Sequence, residues 1–284
     1  MADVRKLSPD EFPSLLREMA DPPHQLYIKG TLPSENAKLL TVVGSRRMSR
    51  YGKDACEQLI AGLAGYPIVV VSGLALGIDG VAHQAALSAG LLTIAIPGSG
   101  LSESVLYPRA HLSLAREIVN KGGALISEME PEEAATPYGF PKRNRIMAGM
   151  SHATLIIEAG VKSGTLITAK LAVDYNRELL IVPHSIFAES GAGGHVFMRL
   201  GAAPIRSAED ILEVLGFETE KVVRPLPPMT KDEERIYAEL AEPASRDELI
   251  RALEMPTAHA NVILTSMELK GIITESGGVL RRNI

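Results

Sequence analysis

Residues 39–53 read LLTVVGSRRMSRYGK, and residues 67–83 read PIVVVSGLALGIDGVAH. In each, a short β-branched apolar run stops at a glycine turn and a stretch of helical composition follows. Four more such runs lie at 92–96 (LTIAI), 124–127 (ALIS), 154–157 (TLII) and 179–182 (LLIV). All are continuously apolar rather than alternating, the pattern of strands covered on both faces. Stretches such as KDACEQLIAGLAG and GTLITAKLAVDYNREL supply the helices between them. Repeated βα units with right-handed crossovers make a doubly wound, mostly parallel α/β sheet of extended Rossmann-like type, whose ligands sit at the carboxyl ends of the strands.

The rest of the chain is organised around that block. At 284 residues, 46% hydrophobic and 22% charged, it has room for one large domain and a smaller one, and disorder or fibrous repeats are excluded. Residues 1–38, with prolines at 9, 13, 22, 23 and 33, read as a largely irregular lead-in, and 39–221 as the Rossmann-like domain. VVRPLPPM at 222–229 reads as a proline-rich linker. From 230 to 284 the order helix, helix, helix, hairpin suggests a winged-helix-like module, its hairpin turning at Ser276-Gly277-Gly278.

Lys plus Arg at 29 against Asp plus Glu at 34 leaves a net charge of −5, so any anion site is local. A lone cysteine, Cys56, leaves no disulfide framework and no CxxC metal or redox pair. The start, MADVRKLSPDEF, has no apolar core, and no apolar run is long enough to span a membrane. A cytoplasmic protein without membrane contact is expected.

Four strand ends carry candidate chemistry. After the first, Gly44 permits a tight turn and Ser45 offers a hydroxyl. Arg46, Arg47, Arg50 and Lys53 follow with no acid between residues 42 and 53. Set at a helix amino terminus this is a phosphate site, and otherwise a solvated basic turn. The second end, Ser72-Gly73 with further glycines at 77 and 80, lacks the GxGxxG spacing and a ribose-binding acid. That argues against NAD and for glycine turns whose N–H groups approach an anion. No Walker motif occurs. Asp79 and His83, four apart, are an acid/base or metal pair on one helix face, or a helix-start acid and an internally bonded imidazole. Glu128 and Glu158 end two strands as a weak candidate carboxylate pair.

The third and fourth ends add Tyr107-Pro108-Arg109 and TPYGFPKRNRIMAGM (136–150), which brings Lys142, Arg143 and Arg145 beside Tyr138 and Phe140. Basic residues interleaved with aromatics suit a nucleic-acid strand. With only twelve aromatics, and Tyr51, Tyr107, Tyr138 and Phe140 in these candidate loops, phosphate contacts carry more than stacking. Ser163, Gly164 and Thr165 open another helix, either as anion donors or as a plain N-cap.

VGSRRMSRYG, SGLALGIDGVAH, YPR, FPKRNRIMAG and SGTLITA, in this order, resemble the DNA-processing protein A family (DprA, also called Smf), and DEFPSLLREMADPPHQLYIKG resembles its entry segment. The resemblance spans about residues 10–218. It implies a non-catalytic, cofactor-free protein that binds single-stranded DNA, usually as a homodimer, and delivers it to the recombinase RecA in natural transformation. Carried over, it assigns nucleic-acid contacts to Arg46, Arg109, Lys142, Arg143, Asn144 and Arg145, with phosphate contacts from Ser72 and Gly73. These join Gly44, Ser45, Gly164 and Thr165 from the turns, and no catalytic or metal-binding residue is expected.

The chain departs from the family's pattern in a short lead-in, in VPH rather than VPG at 182–184, and in an acidic winged-helix module. Residues 231–284 hold seven Lys/Arg against ten Asp/Glu, a net of −3, and the third helix has one lysine, Lys270, so the module reads as a protein-contact element. Two other functions compete: a nucleotide-processing hydrolase of the lysine-decarboxylase-like (LOG) type, whose PGGxGTxxE signature is absent, and a nucleotide-sensing module without a DNA role.

Overall fold

The computed structural model describes residues 3–218 and 227–282. The chain divides into two compact units, Met1–Thr219 and Glu220–Ile284. Of the stretch read as a linker, 222–226 lies outside the described residues.

Six parallel strands form the centre of the larger unit: β3 (Lys38–Val43), β4 (Ile68–Ser72), β5 (Leu92–Ala95), β6 (Ala124–Ser127), β7 (Ala153–Ile156) and β8 (Glu178–Ile181). They match the six apolar runs read from the sequence. With β1 (Arg5–Leu7), β2 (Leu26–Gly30) and β9 (Ala203–Pro204) they form a nine-stranded sheet in the order β1-β2-β6-β5-β4-β3-β7-β8-β9. The strand order reverses at β3, which pairs in parallel with β4 on one side and β7 on the other.

Alternate residues of β3 feed opposite faces, as the pleat requires. Leu39 and Val43 enter one core with Met147 and Ala169, from α5 (Gly139–Met150) and α6 (Thr165–Asp174). Leu40 and Val42 enter the other with Ile60 and Ala82, from α2 (Arg50–Ala61) and α3 (Ile78–Ser88). Fully burying each such aliphatic contributes about 1.5–3 kcal/mol, and helices on both faces explain why the strands are apolar throughout.

Two readings of local structure are corrected. The lead-in is not largely irregular, because β1 and β2 pair with each other and β2 pairs antiparallel with β6. Its prolines flank LYIKG without entering it, so they delimit a strand and do not forbid one. The segment around FPKRNR is not a loop but helix α5, and Tyr51 lies in α2 rather than in a loop.

The smaller unit contains α9 (Lys231–Glu239), α10 (Arg246–Leu253) and α11 (Thr257–Leu269), with a hairpin of β11 (Ile273–Ser276) and β12 (Val279–Arg282). Gly277 and Gly278 turn the hairpin at φ of 59° and 77°, a region closed to most side chains. A short strand, β10 (Ala244–Ser245), adds to β12. Capping boxes at Thr230/Glu233 and Ser245/Glu248 start α9 and α10, and Ile236, Leu249, Leu264 and Leu280 meet in the core.

Candidate nucleic-acid interface

At the reversal of strand order, β3 and β7 stay paired to their carboxyl ends while the helices that follow them, α2 and α6, pack on opposite faces, leaving a cleft of about 790 Å³, the place where an open α/β sheet receives its ligand. Gly44, Ser45, Arg46 and Arg47 form one wall and Lys162, Ser163, Gly164 and Thr165 the other, with Phe140, Arg143 and Asn144 from α5 between them. The walls are joined, since Thr165 Oγ1 donates to the Gly44 carbonyl at 3.1 Å. Ser45 Oγ accepts from the Arg47 N–H at 3.0 Å, and Ser163 Oγ accepts from the Thr165 N–H at 3.2 Å, so both hydroxyls shape their own turns. The amino terminus of α6 adds its partial positive charge to the cleft.

Arg46 is exposed, and its guanidinium lies over the Phe140 ring, 5.2 Å from the centroid. Phe140 meets Tyr107 edge-on at 5.8 Å. Arg46, Gly73 and Tyr107 also line a smaller hollow beside the cleft. Arg47 and Lys162 form no ion pair among the described residues, so three cations face this edge uncommitted to any carboxylate. Lys162 is the residue that reading by charge clusters missed. A single lysine just before Ser163-Gly164-Thr165 was its only sequence signal.

The structure brings six of the twelve candidates to the cleft wall, namely Gly44, Ser45, Arg46, Asn144, Gly164 and Thr165, and makes Arg143 its buried floor. The Arg143 side chain points inward, donating from one nitrogen to the carbonyls of Gly73 and Ile96 and from Nε to Asn144 Oδ1 at 3.1 Å. Burial lowers its guanidinium to about 10, opposed by Asp79. Asp79 in turn accepts from the N–H groups of Ala75, at 3.3 Å, and Gly73. Burial pushes its carboxyl upward, and Arg143 pulls the other way. The glycine turn read as an approach for an anion thus holds the chain's own Asp79 carboxyl.

The remaining candidates stand elsewhere. Ser72 is buried and donates to the Val42 carbonyl at 2.6 Å. Arg145 bonds Glu128 at 2.5 Å and the Asp21 carbonyl, clamping the lead-in. Lys142 lines a separate cavity of about 290 Å³ with Glu128 and Glu133. Arg109 is exposed and donates to the Glu103 and Ser104 carbonyls, the second at 3.3 Å. For the three bases of α5 the helix gives the reason: Lys142 and Arg145, three residues apart, lie on one face toward Glu128, whereas Arg143, about 100° from Lys142, turns inward.

Asp79 and His83 turn to different partners, Asp79 to the Gly73 turn and His83 to Thr93. The His83 Nδ1 and Thr93 Oγ1 share a hydrogen bond of 2.7 Å, and burial holds the imidazole down to about 3, with His111 and Arg143 adding to the effect. Glu128 and Glu158 end strands separated by β3, β4 and β5. Glu158 is buried and accepts from Ser49 N–H at 2.8 Å and Ser49 Oγ at 2.6 Å, holding the amino terminus of α2. No cluster of metal-ligating side chains occurs among the described residues.

Fold and site define a doubly wound α/β protein with a basic cleft at its topological switch point, its chain also carrying a winged-helix unit. Residues 4–216 match the family of DNA recombination-mediator protein A, and residues 219–278 match the DprA winged helix domain. The chain belongs to that family. It is 39% identical over 206 residues to Protein Smf of Escherichia coli, a match covering 72% of this chain and 54% of the relative, so it spans about half that protein's length. The DNA processing protein DprA of Bacillus subtilis is 38% identical over 211 residues, covering 74% of this chain and 70% of the relative.

Among solved structures, DprA from Streptococcus pneumoniae superposes with a TM-score of 0.69 at 36% identity, covering 76% of this chain and 75% of that one. DNA processing protein A from Helicobacter pylori, described for a unique single-stranded-DNA binding mode, gives 0.66 at 27% identity, covering 75% and 96%.

Proposed function

We propose that this chain binds single-stranded DNA through the phosphates of its backbone and, without catalysis or cofactor, acts as a recombination mediator that delivers the strand to RecA. The carrying observation is the switch-point cleft, where Arg46, Arg47 and Lys162 face the opening beside the amino terminus of α6. Guanidinium and ammonium groups held there neutralise phosphates and read no base edge, so binding is insensitive to sequence and sensitive to salt.

Family membership and the single-stranded-DNA binding of the Helicobacter pylori relative support the choice of ligand. The cleft lining includes no histidine or cysteine, and its one carboxylate, Asp79, serves the Gly73 turn. A binding role therefore accounts for the cleft better than a hydrolytic one. The protein works as a cytoplasmic homodimer, and in an organism that takes up DNA the process served is natural transformation.

Fluorescence anisotropy with single- and double-stranded oligonucleotides of one sequence, run beside a screen for nucleotide hydrolysis and a RecA-loading assay, tests this reading. It expects preference for the single strand, no turnover, and faster RecA filament formation on coated DNA. Preference for the duplex, or turnover of a nucleotide, overturns it.

A further inference from the structure

The loop after β8, residues 183–191, stands at the same sheet edge as the cleft but takes no part in the site described above. It carries Ile186, 83% exposed, and Phe187, 90% exposed, apolar surface that nothing among the described residues of the unit covers. The loop is nevertheless held in place. Tyr51 donates its hydroxyl to the Pro183 carbonyl at 2.8 Å and meets the His184 ring edge-on at 4.8 Å. His184 Nε2 is 2.9 Å from the Ile157 carbonyl, and in the helix that follows the loop the Gly193 N–H donates to the Ala159 carbonyl at 2.9 Å.

Tyr51 follows the segment that forms one wall of the cleft, and Ala159 precedes the segment that forms the other. Phe187 is thus displayed on a loop anchored to the segments that flank both walls. Charge favours this side as the exit from the cleft. Beyond β6, on the other side, the chain reads EMEPEE, with acids at 128, 130, 132 and 133, which repel a phosphate backbone. The β7–α6 wall, next to β8, carries Lys162 instead.

We propose that Phe187 is a base-stacking platform, on which a nucleobase of the single strand leaving the phosphate cleft lies flat with Ile186 alongside. This rests on the single-stranded-DNA reading and adds to it a salt-resistant contact that tolerates any base, since every base has a π-face.

The test uses the full chain with F187A and F187W, an oligo-dT strand, and an abasic strand of equal length. F187A is expected to weaken dT binding about tenfold, within the range known for one stacked base, with the salt slope unchanged and abasic binding unaffected. F187W restores dT affinity. Because the chain has no native tryptophan, its emission reports the contact directly, quenched by dT and not by the abasic strand. The inference is overturned if F187A binds dT like the wild type, or loses dT and abasic strands alike. It is equally overturned if F187A runs as a smaller species than the wild type by light scattering, which makes the patch a contact between copies. A wild-type chain without affinity for dT overturns the proposed function and this inference together, whereas wild-type affinity with an unaffected F187A overturns this inference alone.

Discussion

Replacing Arg143 by methionine should unfold the larger unit more readily, and any loss of DNA affinity should follow from that loss of structure. The side chain is 7% exposed, and its guanidinium joins the ends of β4 and β5 through the Gly73 and Ile96 carbonyls while facing Asp79. Removing one partner of a buried charge pair costs about 3–5 kcal/mol, and two stranded carbonyls would add about 1–3 kcal/mol each. These contributions overlap, because protonation of Asp79, whose carboxyl is already pushed upward, relieves part of the unpaired charge. A net loss of about 4 kcal/mol corresponds, at about 2–4 °C per kcal/mol for a unit of this size, to a fall of about 12 °C in Tm. Circular-dichroism melts of R143M, D79N and the double variant measure it. The double variant should recover at least about 1 kcal/mol, because it strands no charge. An R143M chain that melts within about 2 °C of the wild type yet loses DNA would refute the reasoning and make Arg143 a ligand contact.

Arg46, exposed and bonded to no carboxylate, should behave oppositely: R46A keeps the wild-type melting temperature, weakens single-stranded-DNA binding, and reduces the slope of log K against log salt by about 0.7, the share of one phosphate. A chain ending at residue 223 should keep its affinity, because in the acidic smaller unit Lys270 pairs with Glu233, Arg246 with Glu268 and Glu275, and Arg235 bonds the Leu253 carbonyl. A tenfold loss at fixed salt would make that unit a DNA reader. His83, held down to about 3 from an ordinary 6.5, takes up a proton only on unfolding within that window. Stability should therefore fall as pH drops from about 6.5 toward 3, and the H83Q difference melt should lose this component. Thr154, fully buried with an unpartnered hydroxyl, should tolerate T154V with a gain of about 0–2 kcal/mol in urea unfolding.

The sheet was legible because its strands are buried on both faces, and continuous runs such as PIVVV carry that signal unaided. β2 was not, because LYIKG is short and its flanking prolines looked like evidence of irregularity; its partner, β6, lies about a hundred residues away and only tertiary contact reveals it. The position of the cleft was legible from topology and from VGSRRMS. Which charges face it was not. A count of bases around FPKRNR treats Lys142, Arg143 and Arg145 as equivalent, whereas the helix sends one to a separate cavity, one into the protein and one to the lead-in.

The glycines show that a glycine-rich turn at a strand end also answers to internal packing. A Cβ on Gly73 would stand 1.9 Å from the Arg143 guanidinium, so this glycine makes room for a structural arginine as much as for any ligand. Gly77, at φ of 81°, would drive a Cβ to 2.3 Å from the Ser45 carbonyl, the same carbonyl that accepts the Ile78 N–H at 3.2 Å. It lets α3 start against the first wall of the cleft. Both turns serve to bring β3, β4 and α5 close enough for Arg143 and Asp79 to lock them together. With that lock internally satisfied, Arg46, Arg47 and Lys162 remain turned outward with charge to spare. The buried pair thus braces the floor of the cleft, and the residues with the most prominent charge signature in the sequence divide into those that build it and those that stand exposed on its walls.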